Sequence, residues 1–313
     1  MNRILITGAN GMLGKALQKV FAGTNYEIIQ HTRAHSDIAT LDGLKEFDNL
    51  LSRCNPYYVV HTAAMVGGIE YNDHHPYTFN VANTVMNTGV LDACVTNNVP
   101  RFLGILSVCC YGEGFVESDF PLTEDKLFAK EPHPTNAGYA YSKRNFAQQI
   151  LAANKQLKRR YNYMIPCNLY GPNDRRGYRA HFGSVMVDKV LRCLADHSQT
   201  ITFQGDGRVK RQYLHIDDFA KLIKRHIDID VDANYNVAPI EELSAEEMVL
   251  ELLDELKYRF PEFKPTPVFN NTMVAGQMKR TVSTATLERL HPDFEFTKFR
   301  KGILEVFNSW YQG

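Results

Sequence analysis

The sequence predicts an α/β protein with a doubly wound parallel sheet and a smaller C-terminal lobe. Three observations support this. A glycine-rich turn joins the first strand to the first helix. Strand and helix patterns then alternate with short loops through the first half of the chain, and the pattern changes after Gly171 and Pro172. A length of 313 residues suits one large α/β domain with an appended lobe.

The first strand, turn and helix have the arrangement typical of a dinucleotide-binding site. Arg3–Thr7 is short, apolar and β-branched, and Leu13–Val20 reads as a helix that ends near Gly23. Glycines allow a tight turn, and the helix N-terminus favours a pyrophosphate. The spacing is Gly-x-x-Gly-x-x-Gly rather than Gly-x-Gly-x-x-Gly, so a turn without a ligand is the alternative. The cofactor-binding residues predicted here are Gly8, Asn10, Gly11, Met12, Leu13 and Gly14.

The remaining elements continue the alternation. Strands are predicted near Tyr26–Gln30, Tyr57–His61, Phe102–Leu106 and Tyr163–Pro166, and helices near Leu41–Cys54, Asn80–Asn97 and Tyr139–Lys155. Later come a loop over Asn173–Ala180, a helix over Phe182–Asp196, a strand over Gln212–Ile216, a helix over Asp217–His226, a strand from Asn234, and helices near Ser244–Tyr258 and Thr297–Trp310. We expect a Rossmann domain over residues 1–170 plus about 211–237, and a substrate-binding lobe over about 171–210 and 238–313. Substrate should lie between the two.

The bulk properties exclude several classes of function. A formal net charge of zero argues against nucleic acid as the main partner. No apolar run approaches the roughly 20 residues that a membrane span needs, and a strand starting at residue 3 leaves no room for a signal peptide. The six cysteines are scattered without metal-ligand spacing, which predicts reduced thiols, a cytoplasmic setting and no metal site.

Tyr139 and Lys143 form the most informative pair of residues. Side chains four positions apart share one face of a helix. An ammonium beside a phenol favours the phenolate, so we expect Lys143 to lower the pKa of Tyr139 from about 10 toward neutrality. Such a tyrosine exchanges a proton with a carbonyl oxygen. Alone, the spacing is more typical of a surface pair than of a catalytic one. After a dinucleotide-binding turn it indicates reduction by a nicotinamide cofactor.

The second strand indicates which nicotinamide cofactor binds. NAD enzymes usually place an acidic residue at its end to contact the ribose 2′-hydroxyl. Here the strand runs into Gln30, His31, Thr32 and Arg33. Arg33 is suited to a 2′-phosphate, which predicts NADPH; an ordinary loop arginine is the alternative. Asp37 and Ile38 are expected beside the adenine.

Further motifs resemble the extended short-chain dehydrogenase/reductases and, within them, the GDP-L-fucose synthase family. Ala63-Ala64-Met65-Val66-Gly67-Gly68 is similar to that family's Ala-Ala-x-Val-Gly-Gly loop. Pro134-Thr135-Asn136 precedes the tyrosine as in the family. The resemblance continues nearly end to end through Asn168-Leu169-Tyr170-Gly171-Pro172-Asn173-Asp174, Arg211-Gln212-Tyr213-Leu214-His215-Ile216-Asp217-Asp218 and Gly276-Gln277-Met278-Lys279-Arg280.

Ser107-Val108-Cys109 separates this chain from sister activities of the same fold. Sugar-nucleotide dehydratases have Thr-Asp-Glu there, and their acid and base are replaced here by Val108 and Cys109. The resemblance implies that Cys109 and His181 move protons at C3 and C5 of a GDP-4-keto-6-deoxy-sugar. Tyr139, Ser107 and Lys143 then act in reduction at C4. A buried inert cysteine at a strand end, and a surface or capping histidine, are the alternatives. Cys110 is expected to point away and be inert.

The resemblance also implies the remaining contacts. The cofactor would be bound by Ala63, Ala64, Pro166, Asn168, Leu169, His181, Tyr139 and Lys143. The substrate would be bound by Val66, Gly67, Asn168, Lys189, Gln204, Arg211 and Arg280. Gln204 replaces a tryptophan of the family and Ala275 an acidic residue. The changes leave open a 4-reductase for a related GDP-4-keto-sugar, a heptose or dideoxyhexose, with little epimerase activity. A homodimer through the Asn80–Asn97 and Tyr139–Lys155 helices is also implied.

Overall fold

A computed structural model describes residues 2–270 and 279–312. Its strands are β1 (Asn2–Thr7), β2 (Tyr26–His31), β3 (Tyr58–His61), β4 (Arg101–Ile105), β5 (Arg160–Pro166), β6 (Asn168–Tyr170), β7 (Thr200–Gln204), β8 (Lys210–His215), β9 (Tyr235–Val237), β10 (Glu242–Ser244) and β11 (Thr266–Asn270). Its helices are α1 (Met12–Phe21), α2 (Leu41–Cys54), α3 (Ile69–His74), α4 (Pro76–Thr96), α5 (Ala137–Leu157), α6 (Phe182–Ala195), α7 (Ile216–Asp228), α8 (Ala245–Arg259), α9 (Ala285–Leu290) and α10 (Phe299–Trp310).

Six parallel strands form the central sheet in the order β2-β1-β3-β4-β5-β9. Ile4 of β1 pairs with Ile28 on one side and with Tyr58 on the other, which fixes the register of the first three strands. Since β2 and β3 lie on opposite sides of β1, right-handed crossovers place α1 and α2 on opposite faces of the sheet. The predicted doubly wound parallel sheet is therefore confirmed, and its carboxyl ends share one edge.

A second group of strands lies outside this sheet. β8 pairs parallel with β6 and antiparallel with β10, and β7 pairs parallel with β11. They share a separate apolar core with α6, α8 and α10, which includes Met186, Phe203, Leu252 and Ile303. The helix after β8, α7, packs instead on the core of the large sheet. The predicted division of residues 171–237 between the two parts stays a prediction.

Most predicted elements are present within a few residues of their expected ends. The helix over 41–54 has the expected bounds, and those near 80–97 and 139–155 are longer at their N-terminal ends. The sequence reading missed α3, α9 and the short strands β6, β7, β10 and β11. Those strands span only three to five residues each, too few for an alternating pattern to stand out.

Two glycines of the first turn are required by packing. Gly8 has a φ of +65°, and a Cβ there would lie 2.8 Å from the Ala63 Cα. A Cβ on Gly14 would lie 2.4 Å from the Gly8 carbonyl oxygen. Only glycine allows α1 to start this close to the ends of β1 and β3.

Candidate active site

The nucleotide-binding turn leaves the N-terminus of α1 open. Gly11 precedes the helix with extended backbone, its N–H donates to the Gly8 carbonyl at 2.8 Å, and no described side chain caps the helix. Met12, Leu13 and Gly14 therefore begin a helix whose first N–H groups lack internal partners. Asn10 and Gly11 are exposed beside it. This cradle fits a pyrophosphate, because N–H groups and the helix dipole favour an anion there.

A buried threonine positions this turn against the next strand. The Thr7 hydroxyl lies 2.8 Å from the Nδ1 of His61 and accepts from the N–H groups of Thr62 (3.1 Å) and Ala63 (3.3 Å). His61 is fully buried, its Nε2 lies 3.1 Å from Asn87, and burial lowers its pKa to about 3. These neutral polar contacts join the ends of β1 and β3. The sequence reading did not single out either residue.

The loop over residues 63–68 is fastened by asparagines. Asn83 is fully buried; its amide oxygen accepts from the Met65 N–H at 2.9 Å and its amide nitrogen donates to the Met65 carbonyl at 3.0 Å. Asn72 donates to the Gly67 carbonyl at 2.6 Å. Ala63, Ala64 and Val66 are thus held half-buried beside the nucleotide turn. The sequence did not predict these hydrogen bonds, because a single asparagine on the buried face of α4 or α3 belongs to no recognisable motif.

The loop after β2 carries the residues expected at the adenosine end of the cofactor. Arg33 is exposed, and its Nε lies 3.7 Å from an Asp37 carboxylate oxygen. Ile38 is buried in the main core. An exposed ion pair of this length contributes little to stability, which leaves the Arg33 guanidinium accessible to a ligand phosphate.

Lys143 and Tyr139 both lie on α5, at the carboxyl edge of the sheet. Lys143 is buried, and its Nζ donates to the Ile105 carbonyl at the end of β4 at 2.7 Å. The same nitrogen lies 5.9 Å from the Tyr139 ring centroid. Burial lowers the pKa of Lys143 to about 8. The predicted pairing of these side chains is confirmed.

The predicted effect of Lys143 on Tyr139 is wrong in direction. Burial raises the pKa of Tyr139 well above its usual value of about 10, and the neighbouring thiols of Cys109 and Cys110 add to the rise. The Lys143 ammonium is directed at the Ile105 carbonyl, so it does not offset the desolvation of the phenol. Tyr139 is therefore a protonated phenol, poised to donate.

Ser107 and Cys109 lie directly after β4. The Ser107 hydroxyl accepts from the Cys109 N–H at 3.2 Å and caps a short 3-10 turn over Val108–Cys110. The sequence suggested that Cys109 lies at a strand end, whereas the structure places it within this turn. Within the turn Cys109 is half-buried, whereas Cys110 is fully buried with a pKa raised by burial to about 12. The expected inertness of Cys110 agrees with this burial.

Two arginines approach the Cys109 sulfur. The Arg280 Nη1 lies 3.4 Å from the Cys109 Sγ, and Arg280 is only 7% exposed. Burial, and secondarily the charge of Arg280, lower the pKa of Arg211 to about 10. The sequence assigned both residues to the substrate but did not place either at the thiol, because the contact spans 171 positions of the chain.

The other predicted residues belong to β5, β6, α6 and β7. Pro166 is buried, and the Asn168 side chain beside Leu169 donates to the Gln212 carbonyl at 3.0 Å. His181 is exposed and precedes α6; the Arg179 carbonyl just before it accepts from the Gly68 N–H at 3.3 Å. Lys189 donates to the Thr202 carbonyl at 2.5 Å, and Gln204 is exposed at the end of β7. Ala275 and Gly276–Met278 lie outside the described residues.

The described residues form neither a metal-binding cluster nor a membrane-spanning helix. No group of three or more histidines, cysteines or carboxylates among them could hold a metal ion. None of the helices formed by residues 2–270 and 279–312 is long and apolar enough to cross a membrane.

Comparison with known proteins identifies the family. The model of the NAD dependent epimerase/dehydratase family matches residues 4–238. The chain belongs to this family. A probable GDP-L-fucose synthase of Drosophila melanogaster is 30% identical over 99% of this chain and 97% of the relative. A GDP-L-colitose synthase of Yersinia pseudotuberculosis is 28% identical over 91% of this chain and 90% of the relative.

Solved structures of the epimerase/dehydratase family superpose closely on this one. A GDP-L-fucose synthetase of Naegleria fowleri bound to NADP has a TM-score of 0.86 and 25% identity, and the match covers 99% of this chain and 92% of that protein. A GDP-6-OMe-4-keto-L-xylo-heptose reductase of C. jejuni also has a TM-score of 0.86, at 19% identity, over 99% of this chain and 97% of that protein. The predicted fold and the resemblance to GDP-L-fucose synthases are thereby confirmed.

The Asn83 contacts give a first prediction. Asn83→Ala removes both hydrogen bonds to Met65 and leaves buried backbone groups without partners. We expect the free energy of unfolding in urea to fall by about 2 kcal/mol, and NADPH binding by calorimetry to weaken. Asn49→Ala, on the exposed side of α2, is the matched control and should change stability by less than about 0.5 kcal/mol. Equal effects of the two substitutions would contradict the role given to Asn83.

Proposed function

We propose that this chain epimerises C3 and C5 of a GDP-4-keto-6-deoxy-sugar and reduces its C4 carbonyl with NADPH, the activity of the GDP-L-fucose synthases. The observation that carries the proposal is the placement of a half-buried thiol beside the protonated tyrosine and the buried lysine. Cys109 is close enough to act on the titration of Tyr139. Dehydratases place carboxylates in this turn, whereas the described turn offers only Ser107, Val108, Cys109 and Cys110.

Epimerisation uses the acidity that a ketone gives to its neighbours. The 4-keto group activates the protons on C3 and C5. A thiol group and an imidazole on opposite faces of the ring, one deprotonated and the other protonated, can remove and replace them. Cys109 lies in the turn that follows β4, and His181 precedes α6 across the loop over residues 63–68. Each inversion breaks one C–H bond, leaves its electrons on the C4 oxygen as an enolate, and forms a C–H bond on the other face.

Reduction requires an acid at the C4 oxygen. The raised pKa of Tyr139 keeps the phenol protonated at neutral pH, so it can donate its proton to the developing alkoxide. Ser107 would hold the same oxygen. The Lys143 ammonium, 5.9 Å from the ring centroid, would stabilise the phenolate left after transfer. A tyrosine with a lowered pKa would serve oxidation better, so the observed direction suits reduction.

The residues of the nucleotide cradle fit NADPH. Gly8, Gly11 and the start of α1 would bind the pyrophosphate, and Arg33 the 2′-phosphate. Asp37 and Ile38 would border the adenine. The path to the nicotinamide would be lined by Ala63, Ala64, Pro166, Asn168, Leu169 and His181. When bound, NADPH supplies the hydride for C4. Lys143 would also hold its ribose.

The sugar nucleotide is assigned to the loop over residues 63–68, to residues of α6, β7 and β8, and to Arg280. Val66, Gly67, Lys189, Gln204, Arg211 and Arg280 would contact it, with the cations facing the diphosphate. Gln204 is exposed at the end of β7, and its side chain offers no aromatic surface to a ligand. This departure favours one second candidate: reduction of a related GDP-4-keto-sugar with little epimerisation.

Two variants separate the half-reactions. In Tyr139→Phe, NADPH oxidation with a GDP-4-keto-6-deoxy-hexose should fall about 100- to 10,000-fold because the proton donor is lost. Solvent deuterium should still enter C3 and C5. Cys109→Ala should lose that exchange, read by NMR. Tyr141→Phe, two residues along and exposed, is the control. Reduction without deuterium at either carbon in the native enzyme would support the second candidate instead, and full turnover by Tyr139→Phe would contradict both.

The titration of Lys143 predicts the pH profile of reduction. With its pKa lowered to about 8, the ammonium is present below pH 8 and lost above it, while Tyr139 stays protonated throughout. The kcat of reduction should therefore decline as pH rises through about 8. Lys143→Arg, which keeps a charge at all pH values, should remove the decline while lowering kcat. A flat native profile between about pH 6.5 and 9.5 would reject this role.

A homodimer in the cytoplasm completes the proposal. The described cysteines all have free thiols, in keeping with a reducing compartment. α4 packs along α5, and this helix pair exposes Tyr77, Val81 and Tyr141.

If this helix pair forms the dimer interface, the native protein should sediment at twice the mass of one chain. Val81→Asp should shift it to the monomer, because a buried charge opposes association. Leu41→Asp, at an exposed apolar residue on α2, is the control and should leave the mass unchanged. A native monomer, or a Val81→Asp dimer, would rule out this interface.

A further inference from the structure

The sulfur of Cys109 lies against a guanidinium group that belongs to a distant part of the chain. The Arg280 Nη1 to Cys109 Sγ distance is 3.4 Å, within hydrogen-bonding reach for sulfur. Arg280 is 7% exposed, so the charge is largely removed from water. A guanidinium at this distance interacts more favourably with an anion than with a neutral group. A neutral thiol is a weak acceptor, whereas a thiolate is a full negative charge.

The backbone just after Arg280 is anchored by Leu122 and by Gln212. The Leu122 N–H donates to the Thr281 carbonyl at 2.8 Å, and the Ser283 N–H donates to the Leu122 carbonyl at 2.9 Å. The Val282 N–H donates to the side-chain oxygen of Gln212 at 2.9 Å, and Gln212 is buried. Arg280 thus leaves a fixed strand-like segment, which gives its guanidinium a defined approach to the sulfur.

Arg211 increases the positive field at the same place. Its pKa is lowered to about 10 by burial and by Arg280, and the titration of Cys109 acts on it in the opposite direction. Both arginines therefore lie within electrostatic range of the thiol. Arg280 supplies the direct contact at 3.4 Å, and Arg211 adds a second positive charge within electrostatic range.

We propose that Arg280 is a positioning residue: it holds the sulfur of Cys109 in place and stabilises the thiolate form of that residue. The role rests on the proposed function, in which Cys109 exchanges protons at the sugar carbons. When a C–H bond breaks and an S–H bond forms, the electron pair goes to the C4 oxygen and the guanidinium loses its anionic partner. Loss of that S–H proton, to the other ring carbon or to solvent, restores the thiolate, so Arg280 favours recovery of the thiolate before the next inversion.

The reactivity of Cys109 tests this proposal without any sugar. Thiolates, not thiols, react with iodoacetamide. In Arg280→Met, alkylation of Cys109 at pH 7, followed by peptide mass spectrometry on the full chain, should slow about tenfold relative to the native protein. Removal of the large side chain also opens access to the sulfur, which alone would speed the reaction. A decrease therefore reports on charge. Arg280→Lys should restore most of the rate.

Lys279→Met is the matched control. Lys279 is the neighbouring cation, but it contacts Glu117 and the Phe120 ring rather than the thiol. Its substitution should leave Cys109 alkylation unchanged. Alkylation of Cys54, which lies at the end of α2, serves as an internal reference for folding in every sample. Arg280→Gln, a polar and smaller change, gives a second variant with the same expected decrease.

Unchanged Cys109 alkylation in both Arg280→Met and Arg280→Gln would overturn the proposal. So would equal slowing in Lys279→Met. If Arg280 only binds the sugar nucleotide, KM should rise while alkylation stays at the native rate, which also overturns it. Failure of the proposed function has a different signature: the native protein would show no deuterium exchange at C3 or C5, yet Cys109 alkylation would still depend on Arg280.

Discussion

The site depends on one buried contact, the hydrogen bond from the Lys143 ammonium to the Ile105 carbonyl. It joins α5 to the end of β4 at 2.7 Å. β4 leads directly into Ser107 and Cys109, and α5 carries Tyr139 one turn before Lys143. The contact therefore brings the phenol, the hydroxyl and the thiol to one place. A buried ammonium is destabilising by itself, and its cost appears in the lowered pKa of Lys143.

The same edge of the sheet receives the cofactor cradle through neutral polar contacts. Thr7 and His61 join β1 to β3, and Asn83 fixes the following loop. The charged side chains lie instead near the proposed proton-transfer groups: Lys143 near the phenol, and Arg280 with Arg211 near the thiol. In the proposed mechanism this separation gives the phenol and the thiol a cation each, Lys143 and Arg280.

The sequence was sufficient for the fold and for the residues that belong to motifs. Gly8, Gly14, Tyr139 and Lys143 follow from spacing, because strand–turn–helix and i,i+4 geometry are local. It was insufficient where the determining contact is long-range. Burial raises the pKa of Tyr139, opposite to expectation, and Lys143 does not offset the rise because its ammonium donates to a carbonyl 38 residues away. Arg280 contacts Cys109 although the two residues are 171 positions apart in the chain, and a periodic sequence pattern cannot predict such a contact.

The most direct test of the shared site is a crystal structure with NADP and the GDP-4-keto-6-deoxy-sugar bound to the Tyr139→Phe variant. The account predicts that the C4 oxygen lies within hydrogen-bonding distance of Ser107 and next to the edge of the aromatic ring at position 139. It also predicts that the Cys109 sulfur faces C3 or C5, with Arg280 still in contact with that sulfur. A sugar bound with C4 turned away from Ser107, or with Cys109 remote from both carbons, would contradict it.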